Sequence, residues 1–308
     1  MIDRRQFMVA LGSFGLAPAL LGNASNGETA LPVELRGGRF FAVPRTLDGR
    51  TFACWLDTDG SGFIFDWAVN AFHLEVRKLG NGRRAAALPA FDPKTALPPI
   101  AGTFLSVFEE SGADLEDPIL KGFAAQLGGS WFERRVWRLD FRNARITVNA
   151  PPLTPAQATT ALRLHRGIYP RLPVLVDGES IWMSFDIAAS VAYRQASSFE
   201  GQEVSATSFV TRELFEAWHS AHPRWEVDRN LSSLRNVDRV FVPSVRIGSE
   251  KLENVAFTTR PRDDVFAGDD VRGKLGANAY GNRVVVIDYI NGLLLLASES
   301  YGARKISA

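Results

Sequence analysis

Short runs of apolar, aromatic and β-branched residues, separated by Gly, Asp, Asn and Pro, recur along most of this chain. Runs of that length bounded by turn residues predict β-strands, among them Arg239–Ile247, 255–259, 284–289 and 293–296. Asn291-Gly292 between the last two runs is the signal of a tight hairpin turn. Helical spacing is confined to two short stretches, 65–74 and 209–218. Many strands, frequent turns and few short helices predict an all-β chain folded into barrel-like units.

The pattern is also written twice. Leu47-Asp48-Gly49 leads through Thr51, Phe52, Cys54, Trp55 and Leu56 to Asp57, and Val176-Asp177-Gly178 leads through Ile181, Trp182, Met183 and Phe185 to Asp186. Both copies set an Asp-Gly turn nine residues before an aspartate, at an offset of 129, so each reads as a strand that delivers an aspartate at its far end. A second correspondence runs without a gap over 22 positions, from Leu127-Gly128-Gly129 through Asp140-Phe141 to Val148. Its counterpart runs from Leu275-Gly276-Ala277 through Asp288-Tyr289 to Leu296, at an offset of 148. Two matches in the same order predict an internal duplication. The second copy carries 19 more residues between its aspartate and its Leu-Gly, which the polar stretch 193–208 accounts for. Ala150-Pro151-Pro152-Leu153-Thr154-Pro155 joins the copies, and a short helix or loop over 156–165 leads into the second. The organisation expected is an export signal over 1–30, a first lobe over 31–150 and a second over 151–308.

Composition narrows the partners. The 35 basic and 34 acidic residues balance, and no basic stripe argues for nucleic acid. At 46% hydrophobic, 308 residues suffice for a substantial core. The one cysteine, Cys54, excludes an internal disulfide and a cysteine zinc cluster and is expected in the interior. Asp3-Arg4-Arg5-Gln6-Phe7-Met8 and the Gly- and Ala-rich apolar stretch 9–21 resemble a twin-arginine export signal, with small-residue cleavage sites at Ala19 or Ala24. That stretch is short for a membrane span, and no later run is long enough, so a periplasmic or secreted protein with no stable span is expected.

Each copy resembles one lobe of the retropepsin-like aspartic proteases. The family pattern is an apolar strand ending in Asp-Thr-Gly-Ala/Ser, a helix and flap hairpin, then an apolar-apolar-Gly segment before a strand ending in apolar-Asp-aromatic. Leu56-Asp57-Thr58-Asp59-Gly60-Ser61 resembles the first element, and Lys274-Leu275-Gly276 through Ile287-Asp288-Tyr289 the last. The resemblance implies two acid-protease β-barrel lobes related by a pseudo-twofold axis, with Asp57 and Asp186 as a catalytic dyad between them. Two adjacent carboxylates share one proton, so one activates water while the other protonates the peptide carbonyl. No cofactor or metal is expected, and the partner is a peptide or protein substrate paired strand-like in the inter-lobe cleft.

The loops depart from the pattern. Asp59 stands at the family's Gly position, and Ile187 and Ala188 replace Thr and Gly in the second copy. Ile187 has no hydroxyl to cross-bond the loops, the Cβ atoms of Asp59 and Ala188 crowd their approach, and Asp59 adds a third carboxylate that raises the proton affinity of the pair. Thr58, Gly60 and Ala189 complete the loops, with Ser61 and Ser190 at matched positions as donors to the carboxylates or as plain turn serines. These departures leave two functions open: an aspartic-type endopeptidase, or an inactive exported protein of the same fold that binds peptide or a partner protein.

Other patterns carry less. Asp57-Thr58-Asp59-Gly60-Ser61 also fits the start of a calcium loop, but Ala68 stands where a bidentate Glu belongs, and the preceding segment reads as strands. His219 and His222 lack further ligands, Gly60-Ser61-Gly62 and Gly80-Asn81-Gly82 lack a strand-loop-helix setting, and the recurring Asp140 and Asp288 read as turn residues.

Overall fold

The computed structural model describes residues 27–297 apart from 81, 100–103, 111–118, 166–168, 194–202, 232–236, 261–265, 267–270 and 282. The export-signal reading of the N-terminus lies almost wholly outside the described residues. Three sheets carry the architecture, and two of them are built alike. In the first lobe the strands run Arg39–Ala42, Cys54–Leu56, Ala125–Leu127, Phe63–Phe65, Leu105–Phe108, Arg84–Ala86, Val76–Lys78, with Val33–Arg36 added at the outer edge. In the second they run Arg171–Val176, Glu179–Phe185, Gly273–Leu275, Ser208–Thr211, Glu250–Arg260, Arg239–Ile247, Val227–Asp228. The two orders match strand for strand and in sense. The aspartate-bearing strand runs parallel to the strand before the Leu-Gly in each lobe, Cys54–Leu56 with Ala125–Leu127 and Glu179–Phe185 with Gly273–Leu275. Leu175 and Val176 also pair with Arg246 and Val245, which closes the second sheet on itself. This is an all-β fold of two lobes built alike, and the four α-helices among the described residues are short.

The third sheet joins the lobes in the order Thr29–Ala30, Arg145–Val148, Val136–Asp140, Val284–Asp288, Leu293–Ala297, Leu162–Arg163. At its centre Arg138 pairs with Val286, its own repeat counterpart 148 residues on, so the pseudo-twofold axis passes between them. Asp140 and Asp288 are the turn residues expected. Asp140 accepts the Asn143 backbone N–H and side-chain amide at 3.0 Å each, and Asp288 accepts those of Asn291 at 2.9 and 2.7 Å. One continuous core underlies both lobes. A chain of rings crosses it from Phe40 to Phe141 (5.1 Å), Tyr280 (5.4 Å) and Phe185 (5.1 Å), so the residue before Asp186 is packed through the seam to the first lobe.

Local chemistry refines the expected elements. Thr211 is an N-cap whose hydroxyl accepts the Leu214 N–H at 3.2 Å, so the second helix is Arg212–Ala221 and the stretch before it, Ser208–Thr211, is a fully buried strand. The first helix is only Asp66–Ala71. The linker ends in a capping box, Thr154 with Gln157, that opens the helix Pro155–Ala158. Asp177-Gly178 turns a full hairpin. Asp48-Gly49 turns only an isolated Arg45–Thr51 bridge, and the first aspartate strand is correspondingly short. The extra residues of the second copy begin earlier than expected, forming a hairpin of Ser190–Tyr193 with Glu203–Ala206 whose Ala206 N–H donates to the first-lobe Gly37 carbonyl at 2.7 Å. Gly128 and Gly276 explain the glycine of the apolar-apolar-Gly segment: a Cβ at Gly128 would overlap the Gly60 carbonyl, and one at Gly276 the Thr207 carbonyl.

Candidate active site

Each aspartate leaves the end of its strand in the same way. The Asp57 N–H donates to the Leu127 carbonyl and the Asp186 N–H to the Leu275 carbonyl, both at 3.0 Å. Two residues on, the backbone N–H of Asp59 donates to Asp57 Oδ1 and that of Ala188 to Asp186 Oδ1, both at 2.9 Å. Both loops therefore turn back a backbone N–H onto their own aspartate from the position where the resemblance implies glycine, although neither residue there is glycine. The crowding expected from the Asp59 and Ala188 Cβ atoms does not separate them. The position without room for a side chain is the next one, Gly60, where a Cβ would overlap Asp57 Oδ2.

Thr58 makes the cross-lobe lock by itself. Its buried hydroxyl donates to the Phe185 carbonyl at 2.6 Å and accepts the Ile187 N–H at 3.2 Å. Ile187 enters through its backbone, and its side chain, as expected, adds no bond. Thr58→Val would strand a buried carbonyl and a buried amide and is expected to cost roughly 2–4 kcal/mol, read as a lower urea midpoint with an unchanged slope. A loss under about 0.5 kcal/mol would show that the lock does not hold the seam.

The carboxylates meet across this lock. Burial, the Asp186 charge and the Asp59 charge hold the Asp57 carboxyl well above the ordinary carboxylate range. Burial likewise lifts Asp186, against the opposing pull of Lys274 and the Ala188 and Ala189 amides. Asp186 is 6% exposed, while Asp57 keeps more access to solvent. Asp57 Oδ2 accepts from the Gln126 amide at 2.9 Å, and the same nitrogen donates to the Ser61 carbonyl at 2.9 Å. The serines do not act as donors to the carboxylates. Ser61 contributes its carbonyl, and the buried Ser190 hydroxyl has no hydrogen-bond partner among the described residues.

Asp59 forms an ion pair with Lys274 of the other lobe. Burial alone would draw the Lys274 ammonium down, but the Asp59 and Asp186 carboxylates outweigh it and hold its pKa above the ordinary lysine value. Gln126 and Lys274 are the residues that sequence reasoning passed over. They are repeat counterparts, one position before Leu127 and Leu275, and the available signal was a polar residue inside an apolar-apolar-Gly segment. Among the described residues no group of three or more His, Cys, Asp and Glu side chains gathers as a metal site would, and the Asp59–Lys274 pair removes a ligand from the calcium reading. His222 bonds Asp177 at 3.1 Å and stacks on Trp225, whereas His219 lies over Phe215. Cys54 is buried and unpaired, and burial pushes its thiol up. No helix among the described residues is long and apolar enough to cross a membrane.

No protein-family model and no curated protein matches the chain. Among solved structures, basic 7S globulin from soybean covers 88% of this chain and 94% of its own at 7% identity and a TM-score of 0.49. A retropepsin-like aspartic protease from Rickettsia conorii covers 44% of this chain and 88% of its own at 14% identity and a TM-score of 0.30.

Proposed function

We propose that this protein is an aspartic-type endopeptidase in which Asp57 and Asp186 activate a water molecule against a peptide bond. The observation that carries this reading is that each lobe delivers an aspartate from the same strand end beside the Thr58 lock, Asp186 buried and Asp57 half-buried, near enough for their charges to interact. Like charges in a buried site retain one proton between them. The ionised carboxylate takes a proton from water as the water oxygen bonds to the peptide carbon, and the protonated one gives its proton to the carbonyl oxygen. Collapse of the resulting diol breaks the C–N bond as the amine nitrogen takes a proton from one carboxyl of the dyad and a diol hydroxyl gives its proton to the other. The substrate is an extended peptide held between the lobes by strand-like pairing. The Arg4-Arg5 segment supports export to the periplasm or beyond, testable by cell fractionation of the full chain and an Arg4→Lys/Arg5→Lys variant.

The test is incubation with a mixed peptide library from mildly acidic to neutral pH in H₂¹⁸O, with products read by mass. Cleavage with one ¹⁸O in each new carboxyl terminus is expected. Intact peptides at every pH would overturn the peptidase reading in favour of the second one, an inactive exported protein that binds peptide or a partner protein. The observation favouring that second reading is the charged Asp59–Lys274 pair, one member in the aspartate loop and one on the strand before the Leu-Gly, at positions where the family pattern has glycine and an apolar residue.

A further inference from the structure

We propose that Lys274 is a positioning residue for the Asp57–Asp186 pair and that Asp59 is its counter-ion, the two acting as one charge-compensated unit across the lobes; this rests on the peptidase reading. Lys274 lies on the central strand Gly273–Leu275, with Ser184 of the aspartate strand on one side and Phe209 on the other, so its backbone is fixed from both flanks. Its first-lobe counterpart, Gln126, sends its amide to Asp57 Oδ2. The same position therefore bears on the aspartates in both lobes, as a neutral amide in one and as an ammonium in the other.

The two departures from the family pattern make sense only together. The Asp59 side chain is fully buried and that of Lys274 is 11% exposed. Each charge has the other as a buried partner of opposite sign, which offsets the cost of taking both out of water. Together they sum to zero, so a dyad sharing one proton keeps the net charge of −1 it would have without them. The pair also crosses the seam that Thr58 locks from one side only. The other ionisable groups facing this cluster among the described residues are Tyr280, which feels Asp186, and Tyr289, which feels Glu133 and Asp59; burial holds both phenols high, so neither ionises from acid to neutral pH.

The experiment is a cycle of four proteins: wild type, Lys274→Met, Asp59→Asn and the double variant, each with a full pH–rate profile on a peptide the wild type cleaves. An ammonium favours the ionised dyad, so its loss moves both limbs of the bell to higher pH. Loss of Asp59 leaves the ammonium uncompensated and moves both limbs to lower pH. Each shift is expected to be on the order of tenfold in proton concentration, and the double variant returns toward the wild-type limbs. Limbs that stay in place while kcat falls uniformly, or single variants whose limbs move in the same direction, overturn the proposal and leave the peptidase reading standing. If the wild type cleaves nothing, the peptidase reading fails separately, and the same cycle is read in the pH dependence of thermal unfolding. Opposite shifts that cancel in the double variant support the unit; parallel curves overturn it. Single variants too unstable to purify beside a folded double variant support it, and a double variant no better than either single overturns it.

Discussion

Asp57→Asn and Asp186→Asn are each expected to slow peptide hydrolysis by at least ~10³-fold, near the upper range for losing a positioned acid or base. Asparagine keeps the shape of the side chain and can still accept the backbone N–H from Asp59 or Ala188, so the loops retain their form. What is lost is the single shared proton and the carboxylate that draws a second one from water. The groups act as a unit, so the double variant is expected to be little worse than either single one. The measurement is kcat/KM on a peptide identified from the library. Near wild-type turnover in either variant would remove the dyad from the mechanism.

The second large effect needs no substrate. Both aspartates are held above their unfolded values, by burial first and for Asp57 by the neighbouring Asp186 and Asp59 charges. A raised carboxyl contributes stability that is fully present below the unfolded value, near ~3.9, and is lost as pH rises through the folded one. The dyad therefore destabilises the fold at neutral pH, by roughly 1.4 kcal/mol for every unit of upward displacement. Asp238 works in the other direction: its carboxyl, between Arg212 and Arg229, is held below the usual range, so its contribution disappears on acidification. The expected result is that Asp57→Asn raises Tm at pH 7 and flattens the fall in Tm between pH 5 and 7. Calorimetry across that range checks it. An identical slope in wild type and variant would mean that the carboxyl titrates as an ordinary surface acid.

Much of the fold was legible because a duplication states the same constraints twice. The Leu-Gly segments, the Asp140 and Asp288 turns and the last hairpin follow from residues whose roles are local: Asn-Gly for the turn, Asp and Asn for its hydrogen bonds, alternating apolar positions for the strands. Boundaries failed where a polar residue served a backbone purpose. Thr211 reads as part of a helix by spacing, yet it ends a strand and caps the helix that follows. The aspartates were legible for the same reason as the repeat. The pairing of Asp59 with Lys274 was not, because the two are 215 positions apart and belong to different copies. A charge in an apolar segment looks like an exception until its partner is brought across a seam that no local pattern describes. Ser190 shows the reverse: matched to Ser61 in sequence, it is diverted into a hairpin that the first copy lacks.

The central Arg138–Val286 pairing has one more implication. Two identical subunits meeting on such an axis would have to present every feature in duplicate, including two lysines and two extra acids crowded around a single proton. Tethering the halves in one polypeptide frees them from that symmetry. Threonine can face isoleucine and glutamine can face lysine, so the two aspartates become chemically distinguishable.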